Sequence, residues 1–254
     1  MNDLRDDFTW RLLTDSGIKK GMRVLDVGCG TGDLSFLASE LVGDSGAVVG
    51  FDISENALVA ARSTVEKKSL STVKFVQADI SELPDDIGIF DAIIGRRILM
   101  YLNNAAQGID CLLPHLTATG KMVFQESDCM ASSFCALSMP LHTRVQSWIW
   151  DTVAKEGGDI HIGRRLYSLM KNAKLKILQI RAEAILHTCE SGSDLGWVAK
   201  IMAPRMISHG VVTAEEMDTD ALEDRLQLEL SDSDTPFIRD MAFGVCAGKR
   251  FDQS

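Results

Sequence analysis

Paired cysteines, long apolar runs and an excess of positive charge are all missing from this sequence. The six cysteines include no CxxC pair and no regular spacing, which excludes a disulfide scaffold and predicts free thiols in a reducing compartment. No pair of histidines or cysteines has the spacing of metal ligands, so we expect no metal ion. No apolar run approaches the roughly 20 residues that a membrane-spanning helix requires.

Basic residues are outnumbered: 26 lysines and arginines stand against 36 acidic residues, and the formal net charge is -10. Binding to a nucleic-acid backbone depends mainly on cationic contacts, so this balance argues against a nucleic-acid partner. The opening segment MNDLRDDFTW lacks the apolar centre of a signal peptide. We therefore expect a cytoplasmic protein that acts on a small molecule, as a monomer or a homodimer.

The most informative segment is residues 23–54, RVLDVGCGTGDLSFLASELVGDSGAVVGFDIS. Its pattern predicts a buried strand over residues 24–27, a glycine turn over 28–32, a helix, and a second strand that ends on Asp52. Closely spaced glycines allow a sharp turn and present bare N–H groups to a bound molecule. The helix that follows directs its positive N-terminal dipole toward the same place. Further along the chain, Ser54 is predicted to cap a helix through Lys67, and helices are predicted over residues 104–117 and 213–230.

Asp52 lies twenty residues after Gly32, where a carboxylate at the end of a strand can accept hydrogen bonds from ribose hydroxyls. The segment therefore predicts a nucleoside-binding half-site, and a simple tight turn between strand and helix is the alternative. A dinucleotide site has the spacing G-x-G-x-x-G, but Asp33 occupies the sixth position here. The spacing is instead G-x-G-x-G, with Asp26 two residues before Gly28.

The run VLDVGCGTG closely resembles the first motif of the class I S-adenosylmethionine (SAM)-dependent methyltransferases. Further along the chain, FDAIIGRRILMYL resembles the fourth motif of the small-molecule methyltransferases of ubiquinone and menaquinone biosynthesis. The resemblance implies SAM as cofactor and S-adenosylhomocysteine as product. It also implies an α/β fold, with a Rossmann-like, seven-stranded, mostly parallel sheet, helices on both faces and a helical lid.

The resemblance also places cofactor contacts at the ends of strands. Asp79, after the third predicted strand, matches the position that recognises adenine, although the capping of a turn is the alternative. Ile53 and Ile80 would form apolar walls for the ring. The backbone at Gly95 and Arg96, after the fourth strand, would receive the cofactor's ammonium group. The predicted cofactor-binding residues are Asp26, Gly28, Cys29, Gly30, Gly32, Asp52, Ile53, Asp79, Ile80, Gly95 and Arg96.

We expect a single methyltransferase domain over residues 1–254, with a helical extension over 1–20. Insertions over 127–160 and 186–235 follow the fifth and sixth predicted strands and would form a helical lid above the cofactor. Apolar side chains would line an acceptor pocket under this lid, or else pack the lid onto the sheet. The predicted pocket residues are Trp10, Phe134, Met139, Trp148 and Trp197.

A sulfonium methyl group is already activated, so its in-line transfer needs alignment and exclusion of water more than covalent help. An acceptor phenol, enol or amine would benefit from a base, and Glu126 and His142 are the candidates by position. A surface or core role is the alternative for each of them. The predicted activity is methylation of a small, fairly apolar metabolite at oxygen, carbon or nitrogen.

Two other functions are consistent with the same motifs. SAM that is bound but not consumed could assist a cyclisation, rearrangement or decarboxylation of a small natural product, as in some relatives. A nicotinamide-dependent oxidoreductase is the third hypothesis. The missing third glycine of the dinucleotide fingerprint counts against it.

Overall fold

The structure is a computed structural model, which describes residues 4–131 and 138–249. The strands are β1 (Arg23–Val27), β2 (Ala47–Asp52), β3 (Val73–Gln77), β4 (Phe90–Arg96), β5 (Leu116–Asp128), β6 (Lys176–His187) and β7 (Phe237–Gly248). The helices are α1 (Leu4–Asp15), α2 (Asp33–Val42), α3 (Glu55–Lys68), α4 (Ala105–Leu112), α5 (Pro140–Lys155), α6 (Ile162–Asn172), α7 (Leu195–Ser208), α8 (Ala214–Met217) and α9 (Leu222–Ser231).

In the described part of the chain, the seven strands form one sheet in the order β3-β2-β1-β4-β5-β7-β6. Strands β1 to β5 pair in parallel, whereas β7 runs antiparallel to both β5 and β6. The prediction of a seven-stranded, mostly parallel sheet is confirmed. Because the strand order reverses between β1 and β4, the carboxyl ends of these strands border a crevice where such folds bind ligands.

Strand β1 shows why the sheet has helices on both faces. Val24 packs in a cluster with side chains of α1 and α2, whereas its neighbour Leu25 packs in a cluster with α5 and α6. Successive side chains of a strand point to opposite faces, so an apolar strand without alternation needs a cover on each side. This two-sided cover explains why the strand predicted over residues 24–27 is buried, including Asp26.

The residues that precede α2 and α3 explain why these two helices begin where they do. Gly32, the residue before α2, has a φ of 92°, in the left-handed region that side chains disfavour. A Cβ atom there would also lie 2.7 Å from the Phe75 ring, so the position requires glycine. Ser54 caps α3 as predicted, since its hydroxyl accepts a hydrogen bond from the N–H of Ala57 at 3.4 Å.

Two predicted helices differ from the structure. The helix expected over residues 104–117 ends at Leu112, and a 3-10 turn that contains Pro114 leads into β5. The helix expected over 213–230 is split into α8 and α9, because Asp218 adopts a left-handed φ of 47°. Aspartate tolerates this conformation better than most residues, so it ends one helix and lets the chain turn before the next.

The helices of the predicted lid, α5, α7 and α9, pack on one another and against the face of the sheet that carries α6. Their buried side chains belong to the same hydrophobic cluster as Leu25 and Ile93 of the sheet. The segments after β5 and β6 therefore share a core with the sheet. Among the described helices, none combines the length and apolar character needed to cross a membrane.

One carboxylate joins α9 to the start of α5. Glu229 accepts hydrogen bonds from the backbone N–H groups of Leu141 and His142, both at 2.8 Å. These groups lie in the first turn of α5, behind Pro140, where a helix offers its N–H groups no internal acceptor. Glu229 also contacts Nδ1 of His142 at 2.7 Å, and the His142 ring is fully buried against Phe237.

Replacing Glu229 by alanine should destabilise the contact between α5 and α9. The variant leaves two backbone N–H groups and a buried imidazole without their acceptor, which we expect to cost about 2 kcal/mol of unfolding free energy. Urea unfolding measures the loss, and hydrogen exchange should locate it in α5 and α9. Glu215→Ala, at an exposed position of α8, is the control and should unfold like the wild type. Equal stabilities of the two variants would contradict this role.

Candidate functional site

A cavity of about 440 Å³ opens beyond the carboxyl ends of β1, β2 and β3, where this type of sheet binds ligands. It is lined by residues 27–28, 51–53, 78–81, 98, 101–104, 107–108 and 111. Of the predicted cofactor-binding residues, Gly28, Asp52, Ile53, Asp79 and Ile80 all line it. The fold therefore brings together residues from three separate strand ends.

Asp52 connects the end of β2 to the glycine turn. Its Oδ2 accepts a hydrogen bond from the N–H of Gly30 at 2.9 Å, and its Oδ1 accepts one from the N–H of Ser54 at 2.9 Å. Both contacts hold the carboxylate at the rim of the cavity. Each carboxylate oxygen can accept a further bond, so the group can still take hydroxyl donors from a ligand.

The glycine turn is held in place by its own hydrogen bonds. The N–H of Cys29 donates to the carbonyl of Phe51, and that of Gly32 donates to the carbonyl of Cys29, both at 2.9 Å. The expectation of bare N–H groups is therefore wrong at Cys29, Gly30 and Gly32. These bonds fix the conformation of the turn before any ligand arrives, which lowers the entropic cost of binding.

Asp79 caps a turn and also lines the cavity. Its Oδ1 accepts hydrogen bonds from the N–H and the hydroxyl of Ser81, at 2.8 and 2.6 Å. These bonds hold the pKa of the Asp79 carboxyl below its usual value, so the group is ionised at neutral pH. The turn-capping alternative is thus present in the structure. It uses Oδ1 alone, which leaves Oδ2 for a donor on a ligand.

Apolar side chains accompany the two carboxylates in the cavity lining, among them Ile53, Ile80, Ile98 and Leu102. The Ile53 side chain is 68% exposed. Covering it with a flat ring would remove apolar surface from water, at about 25 cal/mol per Å². The cavity thus combines walls for an apolar ring with acceptors at its rim.

A smaller cavity of about 260 Å³ adjoins the first, and Gly28 and Tyr101 line both. Its lining consists of residues 26, 28–31, 33–34, 96–97 and 101, which include the predicted cofactor contacts Asp26, Cys29, Gly30 and Arg96. Sequence reasoning missed Tyr101 as a site residue. The available signal was its place within the run FDAIIGRRILMYL, directly after β4.

Arg97 has a strained backbone beside this smaller cavity. Its φ of 55° lies in the left-handed region, which costs a residue with a side chain about 1–2 kcal/mol. The N–H of Arg97 donates to the carbonyl of Gln125 at 2.8 Å, so β5 stabilises this conformation. The chain thereby turns sharply after β4, and two consecutive arginines, Arg96 and Arg97, line the cavity.

Asp26 is buried beneath the turn. Its Oδ2 accepts a hydrogen bond from the Ser35 hydroxyl at 2.6 Å, which joins β1 to α2. Burial raises the pKa of Asp26 to about 7, and the Ser35 bond and the charge of Arg96 oppose the rise. Asp26 therefore supports the glycine turn from below, through its hydrogen bond with Ser35 of α2.

The glycines at 32 and 95 line neither of the two cavities. Gly32 begins α2, and Gly95 lies within β4, where an added Cβ would lie 2.6 Å from the Phe124 ring. Close packing is sufficient to require glycine at position 95. Its contact with an ammonium group stays a prediction.

Both candidate bases have internal roles. Glu126 is fully buried, and its Oε1 accepts hydrogen bonds from the N–H groups of Ile98 and Leu99 at 3.0 and 2.8 Å. It thereby supports the 3-10 turn Leu99–Tyr101, and burial raises its pKa to about 7. His142 lies in the contact between α5 and α9, where burial lowers its pKa. Neither side chain lines the two cavities, which corresponds to the core role left as the alternative.

Of the predicted acceptor residues, the four that the structure describes line neither cavity. Met139 and Trp148 are buried in the core under the lid, and Trp197 is 64% exposed on α7. Trp10 is half-buried on α1, and Phe134 lies outside the described residues. For Met139 and Trp148, the structure shows the alternative, in which lid side chains pack onto the sheet.

Comparison with known proteins agrees with this geometry. A family model described as a methyltransferase domain matches residues 18–179, which is more than half of the chain. The chain belongs to the class I SAM-dependent methyltransferase family. The resemblance of the two sequence motifs to this family is thus confirmed. In open sheets of this kind, ligands bind in the crevice at which the strand order reverses, here between β1 and β4.

The demethylmenaquinone methyltransferase of Staphylococcus aureus strain MRSA252 is 42% identical over 83 residues. The match spans 33% of this chain and 34% of that relative, about a third of each. A SAM-dependent methyltransferase from Aquifex aeolicus shares the fold, with a TM-score of 0.57, 15% identity, and coverage of 95% of this chain and 89% of that one. The cyclase SpnF also shares it, with a TM-score of 0.58, 19% identity, and coverage of 96% and 80%. Identities this low establish the fold alone.

The raised pKa of Glu126 predicts a stability that depends on pH. In the folded protein the pKa of Glu126 is about 7, whereas the ordinary pKa of a glutamate is 4.5. Between these two pH values, the native state therefore binds more protons than the unfolded state does. The Glu126 carboxyl therefore lowers stability as pH rises through this window. Glu126→Gln keeps an acceptor for the N–H groups of Ile98 and Leu99 but cannot ionise. We expect the variant to gain on the order of 3 kcal/mol over the wild type above the window.

Urea unfolding of both proteins at about pH 5 and about pH 8 measures this difference. Burial also raises the pKa of Asp26 and Asp240, but both proteins contain these groups, so their effect cancels in the comparison. A stability difference that is the same at both pH values would show that Glu126 is already ionised in the fold.

Proposed function

We propose that the protein binds SAM across the two adjoining cavities and transfers its methyl group to a small, fairly apolar acceptor in the cytoplasm. The observation that carries the proposal is the placement of Asp52 and Asp79, from successive strand ends, on one cavity with isoleucine walls. Carboxylates accept the donors of an adenosine, and the arginines of the adjoining cavity suit a carboxylate ligand. The family assignment supports the same cofactor.

The larger cavity would hold the adenosine part of SAM. Asp52, fixed by the N–H groups of Gly30 and Ser54, would accept hydrogen bonds from the ribose hydroxyls. An ionised Asp79 has acceptors only, so its Oδ2 suits the exocyclic amine of adenine. Ile53 would cover one part of the ring, and its present exposure favours this contact.

The smaller cavity would hold the methionine part. Arg96 and Arg97 would provide guanidinium groups for the carboxylate, and the N-terminus of α2 adds partial positive charge. Gly28 and Tyr101 line both cavities and mark the passage between the two parts of the cofactor. The sharp turn at Arg97 would thus serve binding, which is a common reason for a strained residue.

Bound SAM supplies a methyl group that is activated by its sulfonium charge. The chain contributes alignment of the acceptor and exclusion of water. The internal roles of Glu126 and His142 favour an acceptor that loses its proton to water rather than to either side chain. Tyr101 would form the wall nearest to both halves of the cofactor site.

A small-molecule acceptor is supported by the charge of the chain and by its relatives. A net charge of -10 disfavours a nucleic-acid acceptor. The relative from Staphylococcus aureus is named for demethylmenaquinone, a compound of the proposed apolar class. Because that match covers about a third of each chain, the class of acceptor is proposed and not the compound.

Asp52→Asn should weaken SAM binding by about tenfold to a hundredfold. The amide keeps the size of the side chain but replaces one acceptor by a donor, so it loses either the Gly30 bond or a ribose hydroxyl. Isothermal titration calorimetry with SAM measures the dissociation constant. The matched control is Asp44→Asn, at an exposed position before β2, which should keep the wild-type affinity. An unchanged affinity of Asp52→Asn would refute the ribose contact.

Formation of S-adenosylhomocysteine tests the reaction itself. Purified protein, methyl-labelled SAM and a set of apolar phenols, quinols and amines should give a labelled product and an equimolar amount of S-adenosylhomocysteine. Turnover of a substrate without S-adenosylhomocysteine would instead show an unconsumed cofactor. Affinity for NAD in place of SAM would favour an oxidoreductase.

A further inference from the structure

Three side chains of the kinds that ligate metals meet beside the start of α6. Asp128 ends β5, Cys129 follows it directly, and His161 precedes α6. One ligand atom from each lies within 4.8 Å of the others. The sequence predicted no metal ion because cysteine and histidine are not close along the chain, and the fold brings this pair together across 32 residues.

Two of the separations between the ligand atoms are those of a tetrahedral metal site. With Zn–S near 2.3 Å and Zn–N near 2.0 Å, tetrahedral angles place sulfur and nitrogen about 3.5 Å apart, and nitrogen and oxygen about 3.4 Å apart. Sγ of Cys129 lies 3.4 Å from Nδ1 of His161, and this nitrogen lies 3.3 Å from Oδ1 of Asp128. Sγ also lies 3.9 Å from Nε2 of His161, beside the ring, so the imidazole must turn for Nδ1 to direct its lone pair at an ion shared with the sulfur. A single Nδ1 has one proton or one lone pair, so hydrogen bonding alone does not satisfy both contacts well.

Backbone contacts hold the ligands in position. The N–H of Cys129 donates to the carbonyl of Ile160 at 3.0 Å, which joins the two segments next to His161. The N–H of His161 donates to the Asp159 carboxylate at 3.0 Å. The backbone of both ligands is therefore fixed before binding, so only the turn of the His161 ring remains to be ordered when an ion arrives.

Two acids and one arginine surround the cluster: Asp128, Asp151 and Arg164. Asp128 is fully buried, and its Oδ2 has no hydrogen-bond partner in the described part of the chain, although Nε of Arg164 lies 3.3 Å away. A partner on the second oxygen is the usual way in which a ligating carboxylate is oriented. Asp151 adds a second negative charge near Cys129. The side chains of Cys129 and His161 are half-buried, which leaves a path for an ion and a water.

We propose that Asp128, Cys129 and His161 bind one Zn²⁺ ion, with a water molecule in the fourth position. A thiolate and an imidazole prefer borderline transition metals, whereas Mg²⁺ and Ca²⁺ require oxygen ligands. None of the three residues lines the two cavities assigned to SAM, so the site does not depend on the proposed function. The ion would join the end of β5 to the start of α6.

Calorimetric titration of the chelator-treated full-length protein with ZnCl₂ tests the site. We expect one ion per chain in the wild type and a loss of affinity of about tenfold or more in Cys129→Ser and in His161→Gln. The control variants Cys189→Ser and His209→Gln replace a cysteine and a histidine outside the cluster and should bind like the wild type. Zn²⁺ should raise the melting temperature of the wild type and controls more than that of the two ligand variants.

Co²⁺ in place of Zn²⁺ gives a test that needs no variant. The wild type should show a thiolate-to-cobalt charge-transfer band and the intense visible absorption of tetrahedral cobalt, and Mg²⁺ should not displace the ion. Absence of Zn²⁺ binding by the wild type, or full affinity in Cys129→Ser, overturns the proposal. SAM titrations of the same samples report on the proposed function separately, since a failure there leaves the metal result unchanged.

Discussion

The hydrogen bond from the N–H of Gly30 to the carboxylate of Asp52 is the contact on which the candidate site depends. It joins the turn after β1 to the last residue of β2, and it orients the carboxylate at the rim of the larger cavity. Sheet register then brings in Asp79, because Asp52 pairs with Gln77 and accepts the N–H of Ala78 through its carbonyl. The cavity is therefore a direct product of parallel pairing between three strands.

Buried carboxyl groups recur along the same edge of the sheet, and each accepts a hydrogen bond from a neighbouring element. Asp26 holds the start of α2 through Ser35, Glu126 holds the 3-10 turn after β4, and Asp240 accepts a hydrogen bond from Ser127 of the neighbouring strand. Burial raises the pKa of all three. Asp26 and Glu126 thus shape segments around the cavities, and the acids at the cavity rim, Asp52 and Asp79, are the ones suited to a ligand.

Features that depend on neighbours in sequence were predictable. The glycine turn, the cap at Ser54 and the carboxylate at the end of β2 follow from spacing within a few residues, and the family resemblance supplied the position of Asp79. Features that depend on distant contacts were not. Arg97 has its left-handed backbone because Gln125 of another strand binds its N–H, and no local signal indicates this.

The region after β5 shows the same limit. Trp197 and Met139 are both apolar lid residues in the sequence, yet one is largely exposed and the other fully buried, because the packing of the lid helices decides which side chains on and beside them are covered. The pairing of Cys129 with His161 also arises only when α6 packs against the end of β5. The sequence shows which chemical groups these residues carry, but it does not show where the fold places them.

The tight packing at Gly28 has an evolutionary consequence. A Cβ atom there would lie 2.4 Å from the Ile98 side chain, and the N–H of Ile98 is held by the buried carboxylate of Glu126. A larger residue at position 28 therefore demands a smaller one at 98, and any shift of that segment removes hydrogen-bond donors from the buried Glu126 carboxyl group. Across homologues, these three positions should vary together or not at all.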